Sequence, residues 1–288
     1  MFKKGVITDE ISQDMGQAVE LASRYGLDGV EIRSVWEKGP HELDKNDIMN
    51  IKKQVADANL EVCGISAPFF KCNIDNVEEL DQHIKILQKS IELATSLNAK
   101  IIRGFTFWKN GGFDENLSKI ISRFEKPLRM LEGTGITLAL EFDPSVFASN
   151  ARTLVQVVKG IGVPYVKALW DPGNDIYDPE GEKPYPDGFS IIKPYMVHMH
   201  LKDAHKVNGK PIATPVGEGE VDYEGHFREI IKDGYSGYVV LETHYRPKHE
   251  MSEELLALPK GSSFSYLGYE ASEDSLIKWN ALLDRISK

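Results

Sequence analysis

Short apolar runs alternate along this chain with longer segments whose apolar residues recur with a helical period. In the first half, the pairs of run and segment are FKKGVIT with 14–26, DGVEIR with 44–59, LEVCGIS with 78–97, and AKIIRGF with 114–133. In the second half, they are ITLALEF with 150–160, YVKALWD with 188–194, YMVHMHLK with 222–234, and GYVVLETH with 271–287. The pattern predicts eight strand–helix units.

Residues typical of helix ends stand near the limits of several periodic segments. The predicted N-caps are Asp14, Asp44, Asp114 and Asn150. The glycines expected just past helix ends are Gly26, Gly133 and Gly160. These positions agree with the helices that the periodicity predicts.

Successive strand–helix units imply parallel strands, and eight of them close most naturally into a (β/α)8 TIM barrel of the α/β class. An open, doubly wound sheet is the alternative. The first strand is followed by neither a G-x-G-x-x-G nor a G-x-x-x-x-G-K-[ST] element, so the usual nucleotide-binding motifs do not favour that alternative. No linker or shift in composition divides the chain, and we predict one barrel domain over residues 1–288.

The composition is that of a soluble globular protein, with 41% hydrophobic and 27% charged residues. A formal net charge of −10 argues against a nucleic-acid partner, which needs a basic face. The start of the chain, MFKKGVITDE, lacks the apolar core of a signal peptide, and no run is long enough to cross a membrane. With only Cys63 and Cys72 present, we expect reduced thiols and a cytoplasmic location.

Three long connections follow predicted strands, at 171–189, 202–221 and 243–272. The carboxyl ends of barrel strands form the active face, so long connections there are candidates for a substrate lid. Loop length alone does not separate this interpretation from surface excursions or a subunit contact, and a homo-oligomer remains open.

Four ionisable residues stand where separate apolar runs end, and they are Glu141, Asp171, His200 and Glu242. Burying an unpaired carboxylate is costly, and a bound divalent cation removes that cost. A lone acidic residue at a strand end is more often a helix cap or an ion-pair partner. Because these four end consecutive strands and could all point to one barrel mouth, they predict a shared metal site.

Three carboxylates and one imidazole favour a hard divalent cation over a thiolate-type zinc site. Mn²⁺ is the preferred candidate, with Mg²⁺, Co²⁺ and Zn²⁺ as alternatives.

Further polar or aromatic residues near strand ends are candidate substrate contacts, with ion pairing, solvent exposure or packing as their ordinary alternatives. They are Glu31, Arg103, Trp108, Asn174, His198 and Lys202. Backbone N–H groups of VGEGE (216–220) are candidates for a phosphate, although an ordinary turn needs the same glycines.

Several longer stretches carry a family resemblance, namely VHMHLKDA, PVGEGEVDYEGHFREIIKDGYSGYVVLETHY, ALWDPGN, LALEFDPS and TDEISQDMGQAVELASRYGLDGVEIRS. With these, the chain resembles the sugar phosphate isomerase/epimerase family of xylose isomerase-like TIM barrels over nearly its whole length. The resemblance implies a divalent cation on Glu141, Asp171, His200 and Glu242. It also implies a proton shift next to a sugar carbonyl through a metal-stabilised enediolate, with Glu141 and Glu242 as the acid/base pair.

Two positions depart from the ketose 3-epimerases of that family. Asn174 stands where those enzymes carry a substrate-binding His, and Phe147 stands where they carry a Glu. The substrate therefore remains open between a sugar and a keto-polyol. A metal-dependent lyase, such as a keto-inositol dehydratase or an enzyme that eliminates from 3-keto sugars, is the alternative function. A phosphodiesterase and a sugar-binding barrel without catalysis are further hypotheses.

Overall fold

Eight parallel strands form a closed barrel in the computed structural model, which describes residues 1–287 without the side chain of residue 253. The order around the barrel is β1-β10-β7-β6-β5-β4-β3-β2, and all neighbours are parallel. These strands are β1 (Lys3–Ile7), β2 (Gly29–Ile32), β3 (Glu61–Phe69), β4 (Ile101–Gly104), β5 (Thr137–Glu141), β6 (Val166–Trp170), β7 (Met196–Leu201) and β10 (Tyr238–Leu241). The predicted (β/α)8 barrel is confirmed.

Helices follow the barrel strands along the chain. They are α1 (Thr8–Ile11), α2 (Met15–Arg24), α3 (Lys45–Asp57), α4 (Val77–Leu97), α5 (Phe113–Arg123), α6 (Glu125–Leu131), α7 (Ala151–Ile161), α8 (Pro172–Tyr177), α9 (Phe189–Ile192), α10 (Tyr223–Lys232), α11 (Glu253–Ala257), α12 (Gly261–Ser265) and α13 (Gly268–Ile286). Short 3₁₀ turns lie at Pro40–Glu42 and Lys193–Tyr195. Within residues 1–287, every helix is too short or too polar to cross a lipid bilayer.

The helix ends agree with the capping signals in most places. The side chains of Asp14, Asp44 and Asn150 accept backbone N–H groups at the starts of α2, α3 and α7. The prediction for Asp114 is wrong, because α5 begins at Phe113, after Gly112, so that Asp114 lies in the first turn of the helix. The prediction for Gly160 is also wrong, because α7 continues to Ile161 and its left-handed C-cap is Gly162.

The periodic segment 114–133 forms two helices, with a break at Phe124, instead of one. Pro127 explains the break, because its ring displaces the carbonyl four residues earlier and it has no N–H to donate. Phe124 is fully buried at the junction.

All three long connections contain secondary structure of their own, and the one after β6 contains α8. The connection after β7 forms an antiparallel hairpin of β8 (Asp203–Val207) and β9 (Lys210–Thr214), which turns at Asn208 and Gly209. Both turn residues have positive φ, 51° and 80°, as a two-residue hairpin turn requires. The connection after β10 contains α11 and α12.

Candidate active site

Four side chains from neighbouring strands converge at the carboxyl end of the barrel. Glu141 is the last residue of β5, His200 lies in β7, and Asp171 and Glu242 directly follow β6 and β10. Each offers one ligand atom, and these atoms all lie within 4.8 Å of one another. All four residues are buried. We refer to Glu141, Asp171, His200 and Glu242 as the acidic cluster.

One nitrogen of His200 faces the acidic cluster, and the other faces away from it. Nδ1 lies 3.3 Å from Glu141 Oε1 and 3.2 Å from Glu242 Oε2. Nε2 lies 3.2 Å from Glu31 Oε1. A proton on Nε2 that is held by Glu31 leaves the Nδ1 lone pair directed at the cluster, the arrangement that a metal ligand requires.

Glu31 therefore lies behind His200, on the side away from the cluster. It also binds His198, whose Nε2 is 2.6 Å from Glu31 Oε2, and it accepts a hydrogen bond from Ser66. His198 lies on the same face of β7 as His200, as strand alternation predicts. These contacts place Glu31 and His198 beneath the cluster, and the substrate contact predicted for both remains a prediction.

Basic side chains contact the carboxylates of the cluster. Lys202 Nζ lies 2.8 Å from Asp171 Oδ2 and 3.5 Å from Glu242 Oε2. Arg103 Nη1 lies 3.2 Å from Glu141 Oε2 and 3.4 Å from Glu242 Oε1. Both basic residues were predicted for this mouth of the barrel, and the structure places them there.

Burial and neighbouring charges shift the pKa values of the residues in the cluster, and the two effects oppose each other. Burial raises the pKa of Asp171 to about 7, with Lys202 opposing this effect. Burial would also raise the pKa of Glu242, but Lys202, His244 and His200 hold it well below its ordinary value. For His200, burial lowers the pKa, yet the surrounding glutamates raise it well above its ordinary value. In the absence of another cation, a proton on His200 thus compensates part of the negative charge.

A buried ionic network extends the cluster toward β1. Arg33 contacts Asp9 at 2.9 Å, Glu10 at 2.7 Å, and Glu242. Arg246 Nη1 lies 3.3 Å from Glu10 Oε2, and His244 Nε2 lies 3.4 Å from Glu10 Oε1. Asp9 and Glu10 were not among the predicted site residues, although both directly follow the first apolar run, where the other strands carry their polar residues.

The charges of this network test whether a cation fits. Its buried carboxylates belong to six residues, Asp9, Glu10, Glu31, Glu141, Asp171 and Glu242. Its buried cationic side chains belong to four residues, Arg33, Arg103, Lys202 and Arg246. With neutral histidines, the network thus has a formal excess of two negative charges, which one divalent cation would balance. Oxygen ligands with one imidazole also suit such an ion, so the residues fit a divalent metal.

A family model described as xylose isomerase-like TIM barrel matches residues 19–260. This chain belongs to that family. The closed barrel agrees with the family resemblance that was found in the sequence, and so does the position of the acidic cluster at the ends of β5, β6, β7 and β10.

Individual relatives of this xylose isomerase-like barrel include sugar epimerases. An L-ribulose-5-phosphate 3-epimerase of Salmonella paratyphi C is 23% identical over 164 residues, which are 56% of each protein. The chain thus spans about half the length of the curated relatives it matches. Among solved structures, an L-ribulose 3-epimerase has a TM-score of 0.75 at 13% identity, with 100% of this chain and 96% of that one covered. The apo 3-keto-D-glucoside 4-epimerase YcjR from E. coli has a TM-score of 0.70 at 15% identity, with 98% and 100% covered. At these identities, the two structures show the fold alone.

Two other predicted substrate contacts of the xylose isomerase-like site make protein contacts. Asn174, in α8, donates its side-chain N–H to the backbone oxygen of Phe142 at 2.8 Å, and so it ties α8 to the end of β5. Trp108 forms an isolated bridge with Val146, and Lys71 Nζ lies 5.6 Å from the centre of its ring. A substrate role for either residue remains a prediction.

The carboxylate of Asp203 binds the backbone N–H groups that were predicted as candidates for binding a phosphate. It accepts from Gly217 N at 2.9 Å, Gly219 N at 3.0 Å, Val221 N at 3.3 Å and Ala204 N at 3.0 Å. The phosphate interpretation of 216–220 is therefore wrong, because an internal carboxylate already fills the position of the anion.

The connection after β10 covers the mouth of the barrel. Leu256 and Pro259 line a cavity of about 10 Å³ that also contacts Glu141, Lys202 and Glu242. A space of this size holds about one water molecule. The position of Leu256 and Pro259 agrees with the prediction that 243–272 form a substrate lid. In the structure, this connection lies over the acidic cluster.

Proposed function

We propose that this protein is a divalent-metal-dependent sugar epimerase or isomerase that moves a proton on the carbon next to a carbonyl group. The observation that carries the proposal is the convergence of the acidic cluster at the active face of the barrel, within a network that has two excess negative charges. The epimerase names of the relatives support the same reaction class.

The acidic cluster would hold the cation, and we favour Mn²⁺ because the ligands are carboxylates and an imidazole. When bound, such a cation supplies polarisation of the substrate carbonyl and stabilisation of the negative charge that develops on its oxygen. Asp171 and His200 would serve mainly to hold it. Glu31 would keep the His200 ring oriented through its contact with Nε2.

Glu141 and Glu242 are the proposed acid/base pair. They reach the site from β5 and β10, with β6 and β7 between them, and both contact His200 Nδ1. The low pKa of Glu242 keeps its carboxylate ionised near neutral pH, so it can accept a proton from the substrate carbon. Glu141 would return a proton from its own side of the cluster. Acid–base catalysis of this kind contributes roughly 10²–10⁴ in rate.

Lys202 is the proposed partner of a substrate oxygen. Burial would lower its pKa, but Asp171, Glu242 and Glu141 raise it above the ordinary value, so the side chain stays charged. Its Nζ lies between Asp171 and Glu242, at 2.8 and 3.5 Å. A charged donor in this position would bind a hydroxyl or carbonyl oxygen beside the reacting carbon.

Hydrogen exchange tests the proposal directly. The metal-stripped protein, with and without Mn²⁺, is incubated in D₂O with a panel of ketoses and keto-inositols, and deuterium beside the carbonyl is measured by NMR. We expect Mn²⁺-dependent exchange that falls by at least about 10²-fold in Glu242→Gln, which lacks the proposed base. Glu141→Gln should lose formation of the epimer to a similar extent while it keeps exchange. Glu224→Gln, on the exposed side of α10, is the matched control and should retain exchange.

Absence of Mn²⁺-dependent exchange across the panel would contradict the proposal, as would full exchange in Glu242→Gln. Mass spectrometry of the products then identifies the reaction. An isomer of equal mass indicates epimerisation or isomerisation, whereas loss of water or of a glycosyl group would indicate the lyase reaction instead.

The number of domains, the cellular location and the binding partner form part of the same proposal. We infer one domain over residues 1–288, which is supported by the pairing of β1 with both β2 and β10, because the barrel needs both ends of the chain to close. Two free, buried cysteines support the cytoplasm as its location. The net charge of −10 supports a sugar or keto-polyol, rather than nucleic acid, as the partner.

A further inference from the structure

Three buried acidic side chains lie in the connection after β6, apart from the acidic cluster. They are Asp175, in α8, and Asp178 and Glu182, which follow α8 in the chain. Burial, followed by the charges of Glu182, Asp171 and Asp178, raises the pKa of Asp175 to about 9, and the backbone N–H of Ala151 opposes this shift. We refer to Asp175, Asp178 and Glu182 as the loop carboxylates.

Two of the loop carboxylates are buried without the hydrogen bonds that such groups need. Asp175 is 3% exposed and the side chain of Glu182 is 6% exposed, and in the described part of the chain none of their four carboxylate oxygens accepts a hydrogen bond. Asp178, in contrast, accepts from Glu180 N at 3.0 Å and from Asn150 Nδ2 at 3.2 Å. Buried polar groups are nearly always hydrogen-bonded, so the four oxygens indicate a missing partner.

Protein cations balance the charge of the loop carboxylates poorly. Within the residues that the structure describes, Arg152 is the only basic side chain that forms an ion pair with them, with Nη2 2.7 Å from Glu182 Oε1. This side chain is 65% exposed, so solvent screens its charge. By contrast, Asp171 of the acidic cluster pairs with the buried Lys202. Without another cation, Asp175 therefore keeps a proton near neutral pH.

Gly188, directly before α9, allows the two unpartnered side chains to approach each other. A Cβ atom at this position would lie 2.8 Å from Asp175 Oδ2 and 3.5 Å from the Cβ atom of Glu182. The φ of Gly188 is −59°, which other residues adopt as readily, so the glycine serves to make room rather than to permit an unusual conformation. Asp175 and Glu182 thus meet beside the backbone of residue 188.

We propose that Asp175 and Glu182 bind a second divalent cation, of the hard type to which Mg²⁺ and Ca²⁺ belong. Both ions prefer oxygen ligands, and Mg²⁺ is usually held by one or two carboxylates, with water in its other positions. The ion gives the unpartnered oxygens a ligand and takes the place of the proton on Asp175. Asp178 adds a third negative charge nearby.

The role of this cation is structural. Asp175 lies one helical turn after Asp171, which is the N-cap of α8 and a member of the acidic cluster. Asp178 accepts a hydrogen bond from Asn150, the N-cap of α7. A cation on Asp175 and Glu182 thus ties α8 to the residues that follow it and to the start of α7, and it fixes the position of Asp171.

Cation binding to the intact protein tests the proposal. The protein is stripped with a chelator, supplied with one equivalent of Mn²⁺ for the acidic cluster, and titrated at pH 8 with Mg²⁺ or with Ca²⁺ in a calorimeter. We expect one further ion per chain, with a dissociation constant of about 10⁻⁵–10⁻³ M for the better of the two ions. In thermal unfolding, that ion at about a hundred times its dissociation constant should raise the Tm by about 5 °C.

Variants locate the ion. Asp175→Asn and Glu182→Gln should each weaken its binding at least about tenfold, because each removes a charged ligand. Asp175→Asn should fold without the ion, because the amide has nearly the same size and carries no charge to bury. Glu180→Gln, at an exposed position of the same connection, changes the net charge equally and should bind the ion as before. His200→Gln, in the acidic cluster, should also retain it.

Absence of a further ion with both Mg²⁺ and Ca²⁺ would overturn the inference, because a retained proton would then be the partner of these carboxylates. Binding that survives in both Asp175→Asn and Glu182→Gln, or that is lost in His200→Gln, would overturn it as well, because the ion would then lie elsewhere. The test measures no reaction. Failure of hydrogen exchange therefore refutes the proposed function alone, and absence of the second ion refutes this inference alone.

Discussion

Replacing Asp203 with asparagine should destabilise the connection after β7 far more than a change of one atom suggests. The carboxylate is fully buried and accepts four backbone N–H groups, two on each oxygen. An asparagine keeps one oxygen and replaces the other with a donor. Whichever way the amide is turned, two backbone N–H groups lose their acceptor.

The expected cost follows from these two groups. A buried donor without a partner costs about 1–3 kcal/mol, so Asp203→Asn should lower the free energy of unfolding by about 2–6 kcal/mol. Most small domains have a total stability of about 5–15 kcal/mol, so this loss is readily measured.

Urea unfolding, followed by circular dichroism at pH 8, measures the cost. Burial raises the pKa of Asp203 to about 6 against the effect of its four N–H donors, so the side chain is ionised at that pH. Glu220→Gln is the matched control, because its side chain accepts a single bond from Lys206 N at the surface, at 2.7 Å. That variant should change stability by less than about 0.5 kcal/mol. If Asp203→Asn cost no more than the control, the assignment of Asp203 as the internal anion would be refuted.

Two further predictions concern buried groups away from the reacting carbon. Glu31→Gln should weaken Mn²⁺ binding about 10–100-fold in a calorimetric titration, because the carboxylate that orients His200 is lost. Glu61→Gln, at an exposed position, is the control and should leave the affinity for Mn²⁺ unchanged. Unchanged affinity in Glu31→Gln would contradict the orienting role. Burial lowers the pKa of His226 to about 3, so the unfolded chain binds a proton more readily and stability falls as the pH drops below about 6.5. Between pH 7 and pH 5, urea unfolding should show a loss of stability about 2 kcal/mol larger in the unmodified protein than in His226→Phe, because other groups, such as His83 with its pKa lowered by burial to about 4, contribute to both proteins; an equal loss in the two would refute the assignment.

Much of the barrel and of its acidic cluster was predictable from local patterns. Strand alternation and helical periodicity depend on neighbouring residues, and they predicted the eight units and the faces of Glu141 and His200. A closed parallel barrel brings the carboxyl ends of its strands to one mouth, so polar residues there must meet. The hairpin after β7 also had a local signal, the Asn208–Gly209 pair, although no hairpin was predicted there.

The remaining features depend on contacts between distant parts of the chain. Glu31 lies behind His200 because the barrel is narrow enough for β2 and β7 to face each other across it, a relation that no local pattern encodes. Glu10 meets Arg246 only because β1 closes against β10. The path of the connection that places Pro259 over the cluster likewise depends on packing rather than on periodicity.

Binding of Mn²⁺ to the metal-stripped protein tests the central claim most directly. Titration followed by the electron paramagnetic resonance of free Mn²⁺ should give one tightly bound ion per chain, because the acidic cluster has a single set of four ligand atoms within 4.8 Å of one another. Asp171→Asn and His200→Gln should each weaken that binding at least about tenfold, and Glu224→Gln should not. Failure to bind Mn²⁺, or binding of equal strength in these two cluster variants, would contradict the account.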